Sequence, residues 1–423
     1  MEDIGKSGPP MGAQDADHRA EIRAARNLEF SRARARQDWP EIVRLAEKLI
    51  AEGSTPSPNR LFSLAHAYRK LNDATNAERV ATRAIEADPG RAPAFAILAW
   101  AAAERGDGTK ALGLYRRAAK LDPDNPRWPL DAWIILNYSG RLAEARREME
   151  ALQRRWPDHP LVLRNFSGPP NEDGELAERA DGEADARSDM ALAPRDEELR
   201  RAPMVEDRDR DVIIAEGPGA VAVALVFAGS NDRALKMPLS VFDRYLAALG
   251  VNAIYFKDFS RLLFFDGVQS LGRYEASLEA MRAMLGRMGL SRRFAIGLSA
   301  GGPAAVAYGV ELGVDRAVSF AGPTHAHPNP SARAIHNVIA KRLRDLVPKE
   351  RHDLKQFLAS RQVRTKIDLL YGAQMARDRD FAEYVAGSPM GTLRPQAGLA
   401  SHELLSFMAK NGDLSKVLGE LLV

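Results

Sequence analysis

Arg293-Phe294-Ala295-Ile296-Gly297-Leu298-Ser299-Ala300-Gly301-Gly302 reads as a short apolar strand, a serine flanked by glycines two places before and two after, and a helix starting near Pro303. Glycine at 297 and 301 lets the chain turn sharply from strand to helix, where a bulky side chain would block it. The turn pushes the Ser299 hydroxyl out at the carboxyl end of the strand. There the free N–H groups and positive dipole end of the new helix face any oxyanion that forms on a substrate carbonyl.

Working outward, Ala304-Ala305-Val306-Ala307-Tyr308 continues the helix and Arg316-Ala317-Val318-Ser319-Phe320 supplies the next strand. Upstream, Ala220-Val221-Ala222-Val223-Ala224-Leu225-Val226-Phe227 is a continuous apolar run of strand length, suited to a strand buried on both faces. An amphipathic helix over 239–249, the strand Val251-Asn252-Ala253-Ile254-Tyr255-Phe256 and a long helix over 274–288 follow it. Beyond Phe320 an irregular segment leads to helices over 333–360, read as a lid over the pocket, and then to the strand Lys366-Ile367-Asp368-Leu369-Leu370-Tyr371. Strands alternating with helices imply a mostly parallel sheet covered on both faces, an α/β domain over 212–423. Ligands of such sheets bind outside the carboxyl ends of the strands, where Ser299 is expected.

The Gly297–Gly301 turn in this setting resembles the nucleophile elbow of the α/β-hydrolase superfamily. That resemblance implies a serine nucleophile followed in chain order by an acid and a histidine base. His402 is the only histidine after His352 and lies between a short strand near 391–395 and a C-terminal helix, so it is the base the resemblance implies. The acid is Asp378 first and Asp380 second; both follow the strand that ends at Gly372, further from it than is usual in the superfamily. Asp368, inside the strand, reads as structural, and Asp258, after Phe256, reads equally as a substrate contact or a loop cap. The oxyanion hole implied is the backbone N–H of Ala300 with one from the turn after Phe227, at Ser230 or Asn231. A serine hydrolase follows: an ester hydrolase, a deacetylase acting on a glycan, or an acyl transferase using the same machinery, with an acyl ester as substrate and no cofactor. The competing expectation is a non-catalytic scaffold that keeps the fold alone.

The first part of the chain is of another kind. Leu64, Ala67, Asp73, Ala77, Ala84, Asp88 and Pro89 are matched 34 positions later by Leu98, Ala101, Asp107, Ala111, Ala118, Asp122 and Pro123. Gly106, Ala111 and Pro123 recur at the same spacing as Gly140, Ala145 and Pro157, and a degenerate unit spans about 24–57. This is the period and the small-residue framework of tetratricopeptide (TPR) repeats, whose alanines let paired helices approach closely and whose Asp-Pro ends the second helix. An all-α TPR solenoid is expected over 23–165, and its resemblance implies a protein or peptide partner. Trp100, Trp128, Trp133 and Trp156 read as repeat packing, and His66 as a helix residue without chemistry. Repeats paired with a hydrolase-like domain also resemble proteins of bacterial surface-polysaccharide assembly.

The remaining stretches bound the function. Residues 1–22 read as a disordered leader and 166–211, dense in mixed charge, as a linker. The 423 residues carry 60 basic and 57 acidic side chains, a net charge of +3, which implies no nucleic-acid partner. The absence of cysteine excludes disulfides and thiolate metal sites. His325-Ala326-His327, with His336, lacks the carboxylates of a metal site and reads as pocket rim. No segment has the length of a membrane span, and the start carries no apolar run, so the location expected is cytoplasmic.

Overall fold

The computed structural model describes residues 25–53, 55–165, 188–207, 209–229, 233–326, 334–387 and 391–423. The expected leader, half of the linker, and Ser230, Asn231 and His327 lie outside these residues. The chain forms two compact units: the described residues up to Glu104 with Thr109–Trp128, and Arg105–Gly108 with Pro129–Val423.

The first unit is all helix: α1 (25–35), α2 (Trp39–Ala51), α3 (Pro58–Lys70), α4 (Ala74–Ala87), α5 (Ala92–Glu104) and most of α6 (Gly108–Leu121). Its helices start where the sequence supplies a cap: the side chains of Asp38, Ser57 and Asp73 accept from the N–H groups of Glu41, Arg60 and Asn76. Ala65, Ala67, Ala77, Ala81 and Ala84 are fully buried with Leu64 and Val80, so α3 and α4 close on small side chains. α4 stops at Asp88, before Pro89.

The second unit holds most of α7 (Arg127–Tyr138), with α8 (Leu142–Arg155) and α9 (Pro160–Asn165), the last helices of the repeat pattern, and the α/β part. Its backbone places α7 firmly there: Arg342 donates to the carbonyls of Tyr138, Ser260 and Arg261. A Cβ on Gly140 would lie 2.6 Å from the Ser260 carbonyl oxygen. The boundary expected at 165 therefore differs from the division by contacts.

After α10 (188–192), nine strands follow among the described residues: β1 (Val212–Ala215), β2 (Ala222–Phe227), β3 (Val251–Phe256), the hairpin β4 (Gly267–Val268) and β5 (Gly272–Arg273), β6 (Arg293–Leu298), β7 (Arg316–Phe320), β8 (Lys366–Gly372) and β9 (Gly391–Gln396). Seven of them make one sheet in the order β1-β3-β2-β6-β7-β8-β9. All neighbours run parallel except β1 and β3. Helices α11 (Leu239–Ala248), α12 (Tyr274–Met288), α13 (Gly302–Leu312), α14 (Ala334–Leu346), α15 (Lys349–His352), α16 (Leu354–Ala359), α17 (Ala376–Tyr384), α18 (Leu404–Lys410) and α19 (Leu414–Leu422) complete it. Two apolar cores result, one with Phe242, Leu246, Leu405 and Leu418 and the other with Met281, Tyr308, Leu343 and Phe357. β2 and β3 are buried throughout, as their unbroken apolar runs require. Strand order reverses between β2 and β6, so the sheet's natural ligand crevice opens at the carboxyl ends of these two strands.

Residues 188–207, expected in a solvated linker, instead pack on the α/β part. Arg201 grips Asp243 through two nitrogens at 2.7 and 2.6 Å, both side chains being buried, and Ser406 donates to Asp189 at 2.9 Å. Composition hid this because most of the segment's charged side chains are exposed, and only Arg201 and Asp189 among them are buried, beside the apolar Ala193 and Met204.

Candidate functional site

β6 ends at Leu298, and the chain turns through Ser299–Gly301 into α13. Ser299 has a φ of +53°, a left-handed conformation that a non-glycine residue holds only when its surroundings enforce it. The two glycines are required by distance. A Cβ on Gly297 would lie 2.3 Å from the Gly301 carbonyl oxygen, and one on Gly301 would lie 2.1 Å from that of Phe227. Gly302 is as confined, 2.3 Å from the Ser319 hydroxyl.

At this turn three side chains line up. Ser299 Oγ is 2.7 Å from His402 Nε2, and His402 Nδ1 is 2.7 Å from Asp378 Oδ2. With Nδ1–H donating to the carboxylate, Nε2 is the ring nitrogen left to accept the serine proton. His402 sits in the turn between β9 and α18, and Asp378 in the first turn of α17, which begins just beyond β8. That helical start explains the long spacing from Gly372: Asp378 stands on a helix, not in the loop. Asp378 is buried, while Ser299 and His402 are partly open to solvent. Asp380 is exposed two residues on.

The other carboxylates of the sequence reading serve structure. Asp368 is clamped by Arg316 at 3.0 Å and Arg394 at 2.5 Å. Asp258 accepts from the Ser260 hydroxyl at 2.6 Å and the Phe264 N–H at 3.3 Å, and burial pushes its carboxyl above the usual range. It caps a loop in which Arg261, Leu263 and Phe264 all have positive φ. A cavity of about 10 Å³ is lined by Ala300 and Gly229 together with Tyr138, Asp258, Arg261, Leu263 and Ile339. Gly229 is confined too: a Cβ there would lie 2.9 Å from the Arg233 carbonyl oxygen.

Sequence reasoning missed three participants. Tyr138 and Ile339 reach the cavity from α7 and α14, elements whose approach no local pattern announces. Arg377 donates to Asp378 Oδ1 through Nε at 3.1 Å and Nη2 at 3.0 Å. Its adjacency to Asp378 was visible, its direction was not. Among the described residues no group of three or more histidine and acidic side chains is arranged to hold a metal, and His325 packs against the rings of Phe381 and Tyr384. No described helix is long and apolar enough to cross a membrane.

Residues 62–126 match the tetratricopeptide repeat family. The chain is 33% identical over 128 residues to the cellulose synthase 2 operon protein C of Komagataeibacter xylinus, covering 30% of this chain and 10% of that protein. It is 33% identical over 122 residues to a TPR repeat-containing protein of Pseudomonas aeruginosa, 28% of this chain and 20% of that one. The chain thus spans a tenth and a fifth of these relatives. Among solved structures, YrrB, a TPR protein with an unusual peptide-binding site, aligns over 33% of this chain and 71% of its own at 19% identity and a TM-score of 0.31. An S-formylglutathione hydrolase from Agrobacterium tumefaciens aligns over 52% of this chain and all of its own at 14% identity and a TM-score of 0.33. The N-terminal region contains tetratricopeptide repeats, and the C-terminal part is an α/β fold with a mostly parallel sheet.

Proposed function

We propose that this protein is a serine hydrolase of α/β-hydrolase type that forms an acyl-enzyme on Ser299, with His402 as base and Asp378 as the acid that orients it. The observation that carries the reading is the unbroken hydrogen-bond line from Ser299 Oγ through His402 to Asp378. Attack of Oγ on an ester carbonyl passes the serine proton to Nε2, which returns it to the departing alcohol. Water, or a second hydroxyl in acyl transfer, then repeats the sequence in reverse. The backbone N–H of Ala300, with one from Ser230 or Asn231, receives the oxyanion.

The cavity beside Ala300 offers about 10 Å³, room for one water-sized group, which favours a short acyl chain such as acetyl. The likeness of the repeats to a cellulose synthase operon protein makes an acetylated polysaccharide the first substrate to try, and the repeats themselves suit a protein or peptide partner.

Labelling with a fluorophosphonate, read by intact mass, tests the assignment. One adduct per chain is expected for the native protein and none for Ser299→Ala or His402→Ala; a folded native protein that takes no label refutes the reading.

A further inference from the structure

Asp378 has two carboxylate oxygens with different partners. Oδ2 meets His402 Nδ1, while Oδ1 receives both the Nε and Nη2 of the preceding residue, Arg377. The carboxylate is buried and the guanidinium three-quarters so. Asp378 also occupies the first turn of α17, where the free N–H end of a helix favours an anion. One carboxylate is therefore shared between a permanent cation and an imidazole.

We propose that Arg377 is a positioning residue that acts on His402 through Asp378. The guanidinium fixes the carboxylate plane so that Oδ2 faces Nδ1, and it offsets part of the carboxylate's negative charge at the imidazole. Removing the guanidinium leaves that carboxylate uncompensated beside the ring. The catalytic meaning rests on the nucleophile reading above; the electrostatic link does not.

The surrounding charges leave this role to Arg377. Glu403, next to His402, is paired with Lys236 from the loop after β2, and Arg233 of that loop donates to the Lys236 carbonyl. Asp368 on β8 is held between Arg316 and Arg394, and Asp380 on α17 is exposed.

The test is a histidine ring titration by NMR on the full-length protein labelled at histidine Cε1, with the His402 signal assigned by its loss in His402→Asn. In Arg377→Gln its midpoint moves up by about one pH unit, the size expected on losing a cation from a partly buried charge pair. Arg377→Lys, which keeps the charge, stays within a few tenths of the native value. The acid limb of the fluorophosphonate labelling rate follows the same shift, with labelling about tenfold slower for Arg377→Gln on that limb. An unchanged midpoint in a folded Arg377→Gln overturns the inference even where Ser299 still labels. A shifted midpoint in a protein that never labels sustains the electrostatic link and refutes the hydrolase reading. Should the glutamine variant fail to fold, Arg377→Met is titrated in its place and the same two outcomes decide.

Discussion

Ser299 holds its φ of +53° at a cost that glycine at the same position avoids, about 1–2 kcal/mol for an L-residue in the left-handed region. Two substitutions that both remove the hydroxyl separate this strain from the side chain's contacts. Ser299→Gly is expected to be more stable than Ser299→Ala by about 1 kcal/mol, measured by chemical denaturation, and neither is expected to take a fluorophosphonate; equal stabilities would mean that the turn relaxes freely. The flanking glycines fail differently. Gly301→Ala sets a methyl 2.1 Å from the Phe227 carbonyl oxygen, on a buried strand that has no room to retreat, and is expected to cost about 3 kcal/mol or more by the same measurement. Both glycines were legible in the sequence because the constraint is local: five residues must turn from strand to helix. The partnership of Arg377 with Asp378 was not, because adjacency in sequence fixes no side-chain direction.

At the scale of elements, the strands of the sheet were readable from unbroken apolar runs, since a strand buried on both faces has no polar side to break the pattern. The segment 188–207 was misread for a related reason: most of its charged side chains are exposed, so composition signals solvent, while the few that anchor it, Arg201 and Asp189, are buried on partners far away in the chain. Arg201, Asp243 and Tyr255 form a closed set, with the Tyr255 hydroxyl donating to Asp243 at 2.6 Å and the Met204 N–H donating to it at the same distance. Arg201→Met leaves Asp243 without its cation in an apolar core, and a loss of about 3–5 kcal/mol is expected. Limited proteolysis reads the local consequence. Cleavage within 188–207 is expected to quicken before the rest of the unit opens, and resistance equal to the native protein would show that the segment is held by its apolar contacts alone. Replacing both members, Arg201→Met with Asp243→Leu, is expected to recover part of the loss, because no charge is then left unpaired.

Over the whole molecule, the repeat period was legible as a sequence rhythm, while the membership of α7 in the second unit was not, since the side chain that ties it there, Arg342, lies some two hundred residues away. The repeats also carry an acid sensitivity that no motif announced. His66 packs edge-on to Trp39 and against Phe62, and burial, reinforced by Arg69 and Lys70, pushes its imidazole down from 6.5 to about 4. The unfolded chain therefore takes up this proton at a higher pH than the folded one. The stability that neutral His66 contributes is complete above about pH 6.5 and is lost as the pH falls toward about 4. His66 retains some solvent contact, which screens the effect, so the direction is the firm expectation. Substituting His66→Phe keeps a ring between Trp39 and Phe62 and removes the titration. Thermal unfolding of both proteins from pH 7.5 to 4.5 is expected to show the native melting temperature falling relative to the variant's across that window, with the difference constant above pH 7. A constant difference at every pH would show that the imidazole is protonated as readily in the folded repeats as in the unfolded chain, and the acid response would then belong to the carboxylates.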